Sequence, residues 1–325
     1  SGTFKSTPVT AAWSSGAPLS TGRLQATAGG TASALWFASG ALPSGYPSIF
    51  TDTEEYNGVG WSTGGSCTGR INGGGSGTLT AGLFAGGAAS PTRLTTTQEY
   101  DGSTWTAGGA LNTARDALAS CGTQTATASF GGNVPPFTGA TEEYNGTGWT
   151  SSPGSLSTVR SLDTGLGAGT QTAALAFGGY IGNGRQTMTE EYGGTSWTAG
   201  GAMTTGGYST NGWGLQTDAV AAGDGGSGTP ADNSATETYD GSSWATSPAT
   251  LANGPLGYRS GNSNTDSAAG LLAGGPGPAG STLTEEYNRS ANVVTAATWA
   301  AGGTLNTGRQ RAGGFGNAQT SAVVA

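Results

Sequence analysis

The chain has 325 residues, of which 63 are Gly; with 11 basic residues, 19 acidic residues and no histidine, its formal net charge is −8 at pH 7. The acidic balance predicts that nucleic acid and anionic membranes are not partners, because both need a basic protein face. The absence of histidine excludes His-dependent triads and His metal sites. No apolar run approaches the ~20 residues of a membrane span, and the first residues lack a signal-peptide pattern, so neither is predicted.

A short motif that begins at Glu54 recurs along the chain. It consists of Glu-Glu-Tyr, then an Asn-Gly, Asp-Gly or Gly-Gly pair, and then a Trp. Successive motif tyrosines are 44, 44, 48, 47 and 48 residues apart, and self-similarity at such a period is the signature of a repeat architecture. The motif residues are Glu55, Tyr56 and Trp61, Tyr100 and Trp105, Tyr144 and Trp149, and Tyr192 and Trp197, with weaker copies at Tyr239 and Trp244 and at Tyr287 and Trp299.

Each repeat predicts four β-strands. Between Trp105 and Tyr144 the chain carries Arg115, then a small and apolar stretch over 126–130, then a pair of glycines. Such stretches are short, are bounded by Gly and lack a 3.6-residue stripe, so they indicate strands. We expect strand A near the Arg, B before the Gly pair, C at Glu-Glu-Tyr and D at the Trp, with a two-residue hairpin turn between C and D. The repeat arginines are Arg23, Arg70, Arg115, Arg160, Arg259 and Arg309.

A four-stranded unit of roughly 45–50 residues is typical of a propeller blade. The order of Gly pair, Tyr, Trp and Arg resembles the kelch family over nearly the whole chain. The fifth unit departs from that pattern, because Gly206-Gly207-Tyr208 stands where the Arg belongs and its Gly pair near Gly225-Gly226 is blurred. Some kelch-like propellers are copper oxidases, but their copper centre needs histidines, so that function is not implied here.

The two ends of the chain look like complementary parts of one repeat. The C-terminal run after Trp299 supplies strands A and B, and Phe4–Trp13, which is similar to the segment that ends at Trp299, supplies C and D. We therefore predict an all-β fold in which residues 1–325 form a single seven-bladed kelch-like propeller. Phe4–Trp13 pairs with Gly313–Ala325 in this prediction, so that both termini close the last blade. The blades are anchored at Trp13, Trp61, Trp105, Trp149, Trp197, Trp244 and Trp299.

The paired acids of the motif, such as Glu142-Glu143, raise the question of a glycosidase. A glycosidase needs one specific pair of carboxylates at a defined separation. Neighbouring residues on a strand point to opposite faces, so each pair splits, and its repetition in most blades favours a structural role. We expect the repeat arginines to pair with these carboxylates, and an arginine ring that binds anions in the channel is the alternative. No catalytic residue, metal site or cofactor is predicted.

The two cysteines and two extra tryptophans are predicted to be core residues. Cys67 and Cys121 replace small or apolar residues of the repeat, which favours buried thiols, although a disulfide between neighbouring blades stays open. Trp36 falls in a B strand. Trp213 lies between glycines, where a buried strand A is favoured over an exposed ring that stacks on a sugar.

The loops that join strands B and C are the predicted binding face. They differ in every blade and carry bulky residues, whereas the C–D turns on the opposite face are nearly uniform. Variable loops on a rigid repeat scaffold are where recognition usually lies. The predicted binding residues are Tyr46, Phe50, Phe137, Tyr180 and Ile181.

The amino-acid sequence of the repeat is similar to that of kelch-like proteins encoded by tailed phages, notably marine cyanophages. That resemblance implies a non-enzymatic virion protein of the tail fibre, tail tip or capsid surface, which binds other virion proteins or a host-surface glycan or protein. The alternative is a cellular or secreted bacterial adhesion or scaffold module at the cell surface. A sugar-active enzyme is the weakest alternative, and homo-oligomerisation stays open.

Overall fold

The structure, a computed structural model, describes residues 11–43, 48–163, 167–182, 184–224, 234–252, 258–262, 265–276 and 280–289, and the backbone of two short strands near the C-terminus. Within these residues the chain forms six four-stranded antiparallel sheets. The innermost strand A of each sheet neighbours strand A of the next, and that of the sixth sheet also neighbours that of the first. The sheets therefore form a closed ring, which is a β-propeller.

The blades are numbered in chain order, with strands A to D running from the axis outward. Blade one is Thr27–Thr31, Ala34–Ala38, Thr53–Tyr56 and Trp61–Thr63, and blade two is Gly74–Thr78, Ala81–Ala85, Thr97–Tyr100 and Trp105–Gly108. Blade three is Ala119–Thr123, Ala126–Phe130, Ala140–Tyr144 and Trp149–Ser155, and blade four is Gly167–Thr170, Ala173–Phe177, Thr189–Tyr192 and Trp197–Ala199. Blade five is Asn211–Leu215, Asp218–Ala222, Thr236–Tyr239 and Trp244–Thr246, and blade six is Ser260–Gly261, Ala269–Ala273, Thr284–Asn288 and Ala12–Ser15.

Three further pieces complete the strand inventory of the described residues. Ala88–Ala89 and Thr92–Arg93 form a small hairpin within the B–C loop of blade two. Gly314–Phe315 pairs with Val323–Val324 as a separate two-stranded sheet. Neither piece belongs to the ring of six blades.

A pair of glycines ends strand B. In blade three, Gly131 and Gly132 have φ of 65° and 108°, a conformation that side-chain-bearing residues rarely adopt. The peptide N–H of Gly131 donates to Ala140, which begins strand C, and that of Gly132 donates to Arg160 of the next blade. The pair thus turns the chain out of the sheet and joins it to the neighbouring blade.

The C–D turns differ from the predicted two-residue hairpins. Tyr56 pairs directly with Trp61, so the loop contains four residues. The side-chain oxygen of Asn57 accepts hydrogen bonds from the N–H groups of Val59 and Gly60 at 3.0 Å each. Within this loop, only Gly58 has a positive φ. An Asx turn, in which a side chain replaces a backbone acceptor, explains the recurrent Asn or Asp as well as the Gly.

The prediction of seven blades is wrong, because the ring contains six. Trp13 lies directly opposite Tyr287, so the N-terminal strand is strand D of blade six. The pairing predicted between Phe4–Trp13 and Gly313–Ala325 is not formed by Ala12 and Trp13, which pair with Asn288 and Tyr287. Residues 4–10 and Trp299 lie outside the described residues. The segments that end at Trp13 and at Trp299 have similar sequences, so either could pair with strand C of blade six. The N-terminal segment forms that pairing.

Trp13 closes the ring with the same contact that every other blade uses. In each blade the indole N–H of the D-strand Trp donates to a Thr at the start of strand C of the preceding blade, and the Trp13 bond to Thr236 measures 2.9 Å. Its ring also lies 5.3 Å from Tyr287 and 6.0 Å from Trp213, centroid to centroid. The other pairs are Trp61 with Thr284, Trp105 with Thr53, Trp149 with Thr97, Trp197 with Thr141 and Trp244 with Thr189.

Changing Trp13 to Ala tests this closure. We expect the variant to lose roughly 2–4 kcal/mol of unfolding free energy, somewhat less than a fully buried Trp because the ring is partly exposed. The matched control is Ser14→Ala, which changes an exposed side chain of the same strand and should alter the unfolding midpoint in urea little. Equal midpoints for Trp13→Ala and Ser14→Ala would contradict closure by the N-terminal strand.

Candidate functional site

Where strand C carries two neighbouring carboxylates, they point to opposite sides, as predicted from strand geometry; blade two has Gln98-Glu99 instead and blade five has Glu237-Thr238. The second Glu of the pair accepts a hydrogen bond from the C-strand Tyr of the next blade: Glu99 from Tyr144 at 2.5 Å and Glu143 from Tyr192 at 2.7 Å. Burial, followed by this bond to a carboxylate, raises the pKa of Tyr100 to about 12. The same contact joins Tyr56 to Glu286, Tyr100 to Glu55 and Tyr239 to Glu191.

The first carboxylate of each pair binds the repeat arginine of its own blade, which confirms the predicted pairing for four arginines. Arg70 bonds to Gln98 instead, and Arg309 lies outside the described residues. Arg115 donates to Glu142 at 2.5 Å and to two carbonyl groups, and it is fully buried. Burial lowers the pKa of the Arg115, Arg160 and Arg259 guanidinium groups. It lowers the pKa of Arg70, which faces the neutral Gln98, to about 10. The other pairs are Arg23 with Glu54, Arg160 with Glu190 and Arg259 with Glu285.

Among the described residues, the central channel has no arginine ring of the kind considered as an alternative. The space between the six A strands amounts to about 340 Å³, including its openings to solvent. The described residues that line it carry hydroxyl and amide groups, such as those of Ser120, Asn211 and Asn262, and no charged side chain. The five repeat arginines of the described residues are instead buried within their blades.

The remaining core predictions are confirmed. Cys67 and Cys121 are buried free thiols, and burial raises the pKa of Cys67 to about 11. Trp36 is fully buried in strand B of blade one. Trp213 is fully buried in strand A of blade five, so the exposed sugar-stacking alternative for this ring is wrong.

Two of the predicted binding residues meet in a row of aromatic rings on the B–C loop face. Phe137 and Tyr180 lie edge to face with centroids 6.2 Å apart. Tyr208 lies 5.2 Å from Tyr180, and Tyr258 lies 6.2 Å from Tyr208, with their hydroxyl groups 3.3 Å apart. All four rings are partly exposed. We call these four residues, from blades three to six, the aromatic row.

The other predicted residues stand apart from the aromatic row. Phe50 packs against the Arg23 guanidinium, 4.7 Å from its ring centroid, which gives it a role in the blade. Ile181 is partly exposed next to Tyr180, and Tyr46 lies outside the described residues.

Sequence reasoning missed Tyr208 and Tyr258, because both come from D–A connections and not from B–C loops. Tyr208 directly follows the repeat arginine site, where other blades carry Leu24, Ile71, Asp116 and Ser161. Tyr258 takes the next position, because its carbonyl accepts the N–H of Gln25 as that of Gln25 accepts the N–H of Asn72. A large aromatic residue at these positions was the available signal.

A buried carboxylate lies next to the aromatic row. Asp163 is 4 % exposed, and one of its oxygens has no hydrogen-bond partner. Burial raises its pKa to about 6, and an interaction with the Tyr208 hydroxyl offsets part of that effect. The aspartate therefore changes charge between mildly acidic and neutral pH beneath the face that carries the row.

Comparison with known proteins adds no family assignment. The chain matches no protein-family model, and no curated protein matches it. Within the described residues there is no helix long and apolar enough to cross a membrane, and those residues hold no group of three or more His, Cys, Asp or Glu side chains placed to bind a metal ion. The β-propeller itself is consistent with the kelch-like repeat pattern.

Breaking the buried pair of blade three should destabilise the protein strongly. We expect Arg115→Met to lower the unfolding free energy by about 3–5 kcal/mol, because Glu142 is left as a buried charge without its cation. Adding Glu142→Gln should recover part of that loss, since Gln98 already fills this position in blade two. Urea unfolding measures both, and an unchanged midpoint for Arg115→Met would contradict the assigned role.

The pH dependence of stability should respond to Asp163. Its pKa is raised from 3.8 to about 6 on folding, so its contribution is complete below pH ~4 and is lost as the pH rises through ~6. The full shift corresponds to about 3 kcal/mol. We expect Asp163→Asn to gain stability relative to the unchanged protein between pH 4 and 7, measured by thermal unfolding. The exposed Asp266→Asn is the control, and parallel profiles for all three proteins would contradict the expectation.

Proposed function

We propose that this protein is a non-catalytic recognition propeller that binds a glycan through its aromatic row. The proposal rests on the aromatic row, in which four adjacent and partly exposed residues lie on one face: Phe137, Tyr180, Tyr208 and Tyr258. Tyr rings combine an apolar face with a polar hydroxyl, which suits the mixed surface of a sugar. Aromatic residues also dominate the binding energy of most interfaces.

The engagement of the repeated acids supports a non-catalytic role. Glu142 binds Arg115 and the N–H of Asn112, and Glu143 accepts from Tyr192. The same arrangement recurs around the ring, so these carboxylates are committed to structure. A glycosidase would need one pair that faces an open cleft at a defined separation.

The biological setting that we propose is the surface of a tailed-phage virion, at a tail fibre, a tail tip or the capsid. This setting is supported by the similarity of the repeat sequence to that of kelch-like phage proteins. The same similarity implies neighbouring virion proteins as further partners. Detection of the chain by mass spectrometry in purified particles tests the location independently of the glycan.

Glycan-array binding followed by calorimetry tests the proposed face. We expect Phe137→Ala with Tyr180→Ala to weaken binding at least tenfold, since truncation of an aromatic anchor typically costs about 2 kcal/mol or more. Val59→Ala is the matched control, because Val59 is 82 % exposed on a C–D turn of the opposite face. Loss of binding in the control with normal binding by the double variant would place recognition on the other face, and no binding to any glycan would contradict the proposed ligand.

A further inference from the structure

Blade five lacks the arginine that the other five blades bury. Gly207 takes its place: the N–H of Gly179 donates to the carbonyl of Gly207 at 2.7 Å, as the N–H of Gly132 donates to Arg160 at 2.9 Å one blade earlier. The carboxylate that would receive the arginine is still present as Glu237.

Glu237 is buried without a cationic side chain. It is 3 % exposed and accepts the backbone N–H groups of Thr204 and Thr205 at 2.8 Å each. Among the ion pairs of the described residues none involves Glu237, and the nearby Arg185 pairs with Asp224 at 2.7 Å. A buried charge that has lost one partner of its pair is costly, so this carboxylate is a strong acceptor that lacks its usual cation.

A cavity occupies the place of the missing side chain. It is open to solvent, and Glu237, Gly207, Gly223 and Ala235 line it. The N–H of Gly223 donates to Ala235 at 3.1 Å, so this pair corresponds to the glycine and the C-strand residue that flank the arginine in other blades.

The acceptors around this cavity are those that hold a guanidinium elsewhere in the ring. In blade three, Arg115 donates to the carbonyls of Gly131 and Ala140 at 3.2 and 2.8 Å, and also to Glu142. The Gly131 N–H donates to Ala140 at 3.2 Å, as the Gly223 N–H does to Ala235. Two carbonyls and a carboxylate are therefore retained in blade five, while the donor has been lost.

An unpartnered hydroxyl group also lines the cavity. Thr210 is 3 % exposed, and its Oγ1 has no hydrogen-bond partner. A Cβ atom built on Gly207 would lie 2.4 Å from that oxygen, so the hydroxyl stands where the arginine side chain of other blades leaves the backbone. Thr210 immediately precedes strand A, as Arg259 does in blade six, and Arg259 reaches Glu285 at 2.7 Å from that position.

We propose that this cavity binds a guanidinium cation, either a free small molecule or an arginine side chain of a partner protein. The planar guanidinium donates several N–H groups in fixed directions and so matches a carboxylate flanked by carbonyl oxygens. A divalent ion would need several oxygen ligands at short distances, and Asp224, the other carboxylate at the cavity, is engaged by Arg185. The site adjoins the aromatic row, since Tyr208 follows Gly207 and its N–H donates to Asp224 at 2.8 Å. None of the four rings lines the cavity, and the proposal does not depend on glycan binding.

Thermal unfolding of the full chain in millimolar guanidinium chloride tests the proposal, with NaCl at matched ionic strength as the reference. A ligand that binds only the folded state raises the unfolding temperature progressively with its concentration. We expect that rise in the unchanged protein, and we expect it to disappear in Glu237→Gln. N-acetyl-arginine amide forms a second arm: stabilisation by it as well indicates an arginine of a partner chain, and stabilisation by guanidinium alone indicates a free cation.

Thr210→Arg provides the matched variant, because it supplies the guanidinium from the position that Arg259 uses in blade six. It should raise the unfolding temperature in NaCl and remove the response to added guanidinium. If this variant does not fold, the comparison of the unchanged protein with Glu237→Gln still decides the question. No guanidinium-specific rise in the unchanged protein, or an equal rise in Glu237→Gln, overturns the proposal.

Discussion

The carboxylates of strand C hold the propeller together in two directions. The first of each pair neutralises a buried arginine inside its blade, and the second accepts the tyrosine hydroxyl of the next blade, as Glu142 and Glu143 do with Arg115 and Tyr192. A charge buried this deeply needs both a counter-ion and hydrogen bonds. The alternation of side chains along a strand allows one dipeptide to satisfy an intrablade and an interblade contact together.

The contact between blades five and six is the exception in this ring. Thr238 replaces the second carboxylate of blade five, so no carboxylate there accepts a hydrogen bond from the Tyr287 hydroxyl. Gly207 replaces the arginine of the same blade. Blade six, in turn, is completed by a strand from the other end of the chain, in which Trp13 faces Tyr287 and Thr236. Trp13 also contacts the rings of Trp213 and Tyr287 here, as Trp105 contacts those of Trp36 and Tyr100 in blade two.

The aromatic row lies where regular repeats leave freedom for variation. Its members come from B–C loops and D–A connections, which share one end of the blades, while the C–D turns at the other end are held by Asx hydrogen bonds such as those of Asn57. Asp163 lies buried under the same face. A rigid scaffold can carry such variable loops at little cost in stability, because they contribute little to the core between the sheets.

The four-strand repeat, the burial of Trp36, the splitting of each Glu pair and the partnership of Arg115 with Glu142 could be predicted from the sequence, because these features depend on local pattern and on strand alternation. The number of blades could not, because it depends on tertiary contacts. The segments that end at Trp13 and Trp299 are similar, so local pattern suits both to the edge beside Tyr287, and the count depends on which one occupies it. Tertiary structure likewise brought Tyr208 and Tyr258 to Tyr180, because these residues are distant in the chain and meet only where neighbouring blades converge.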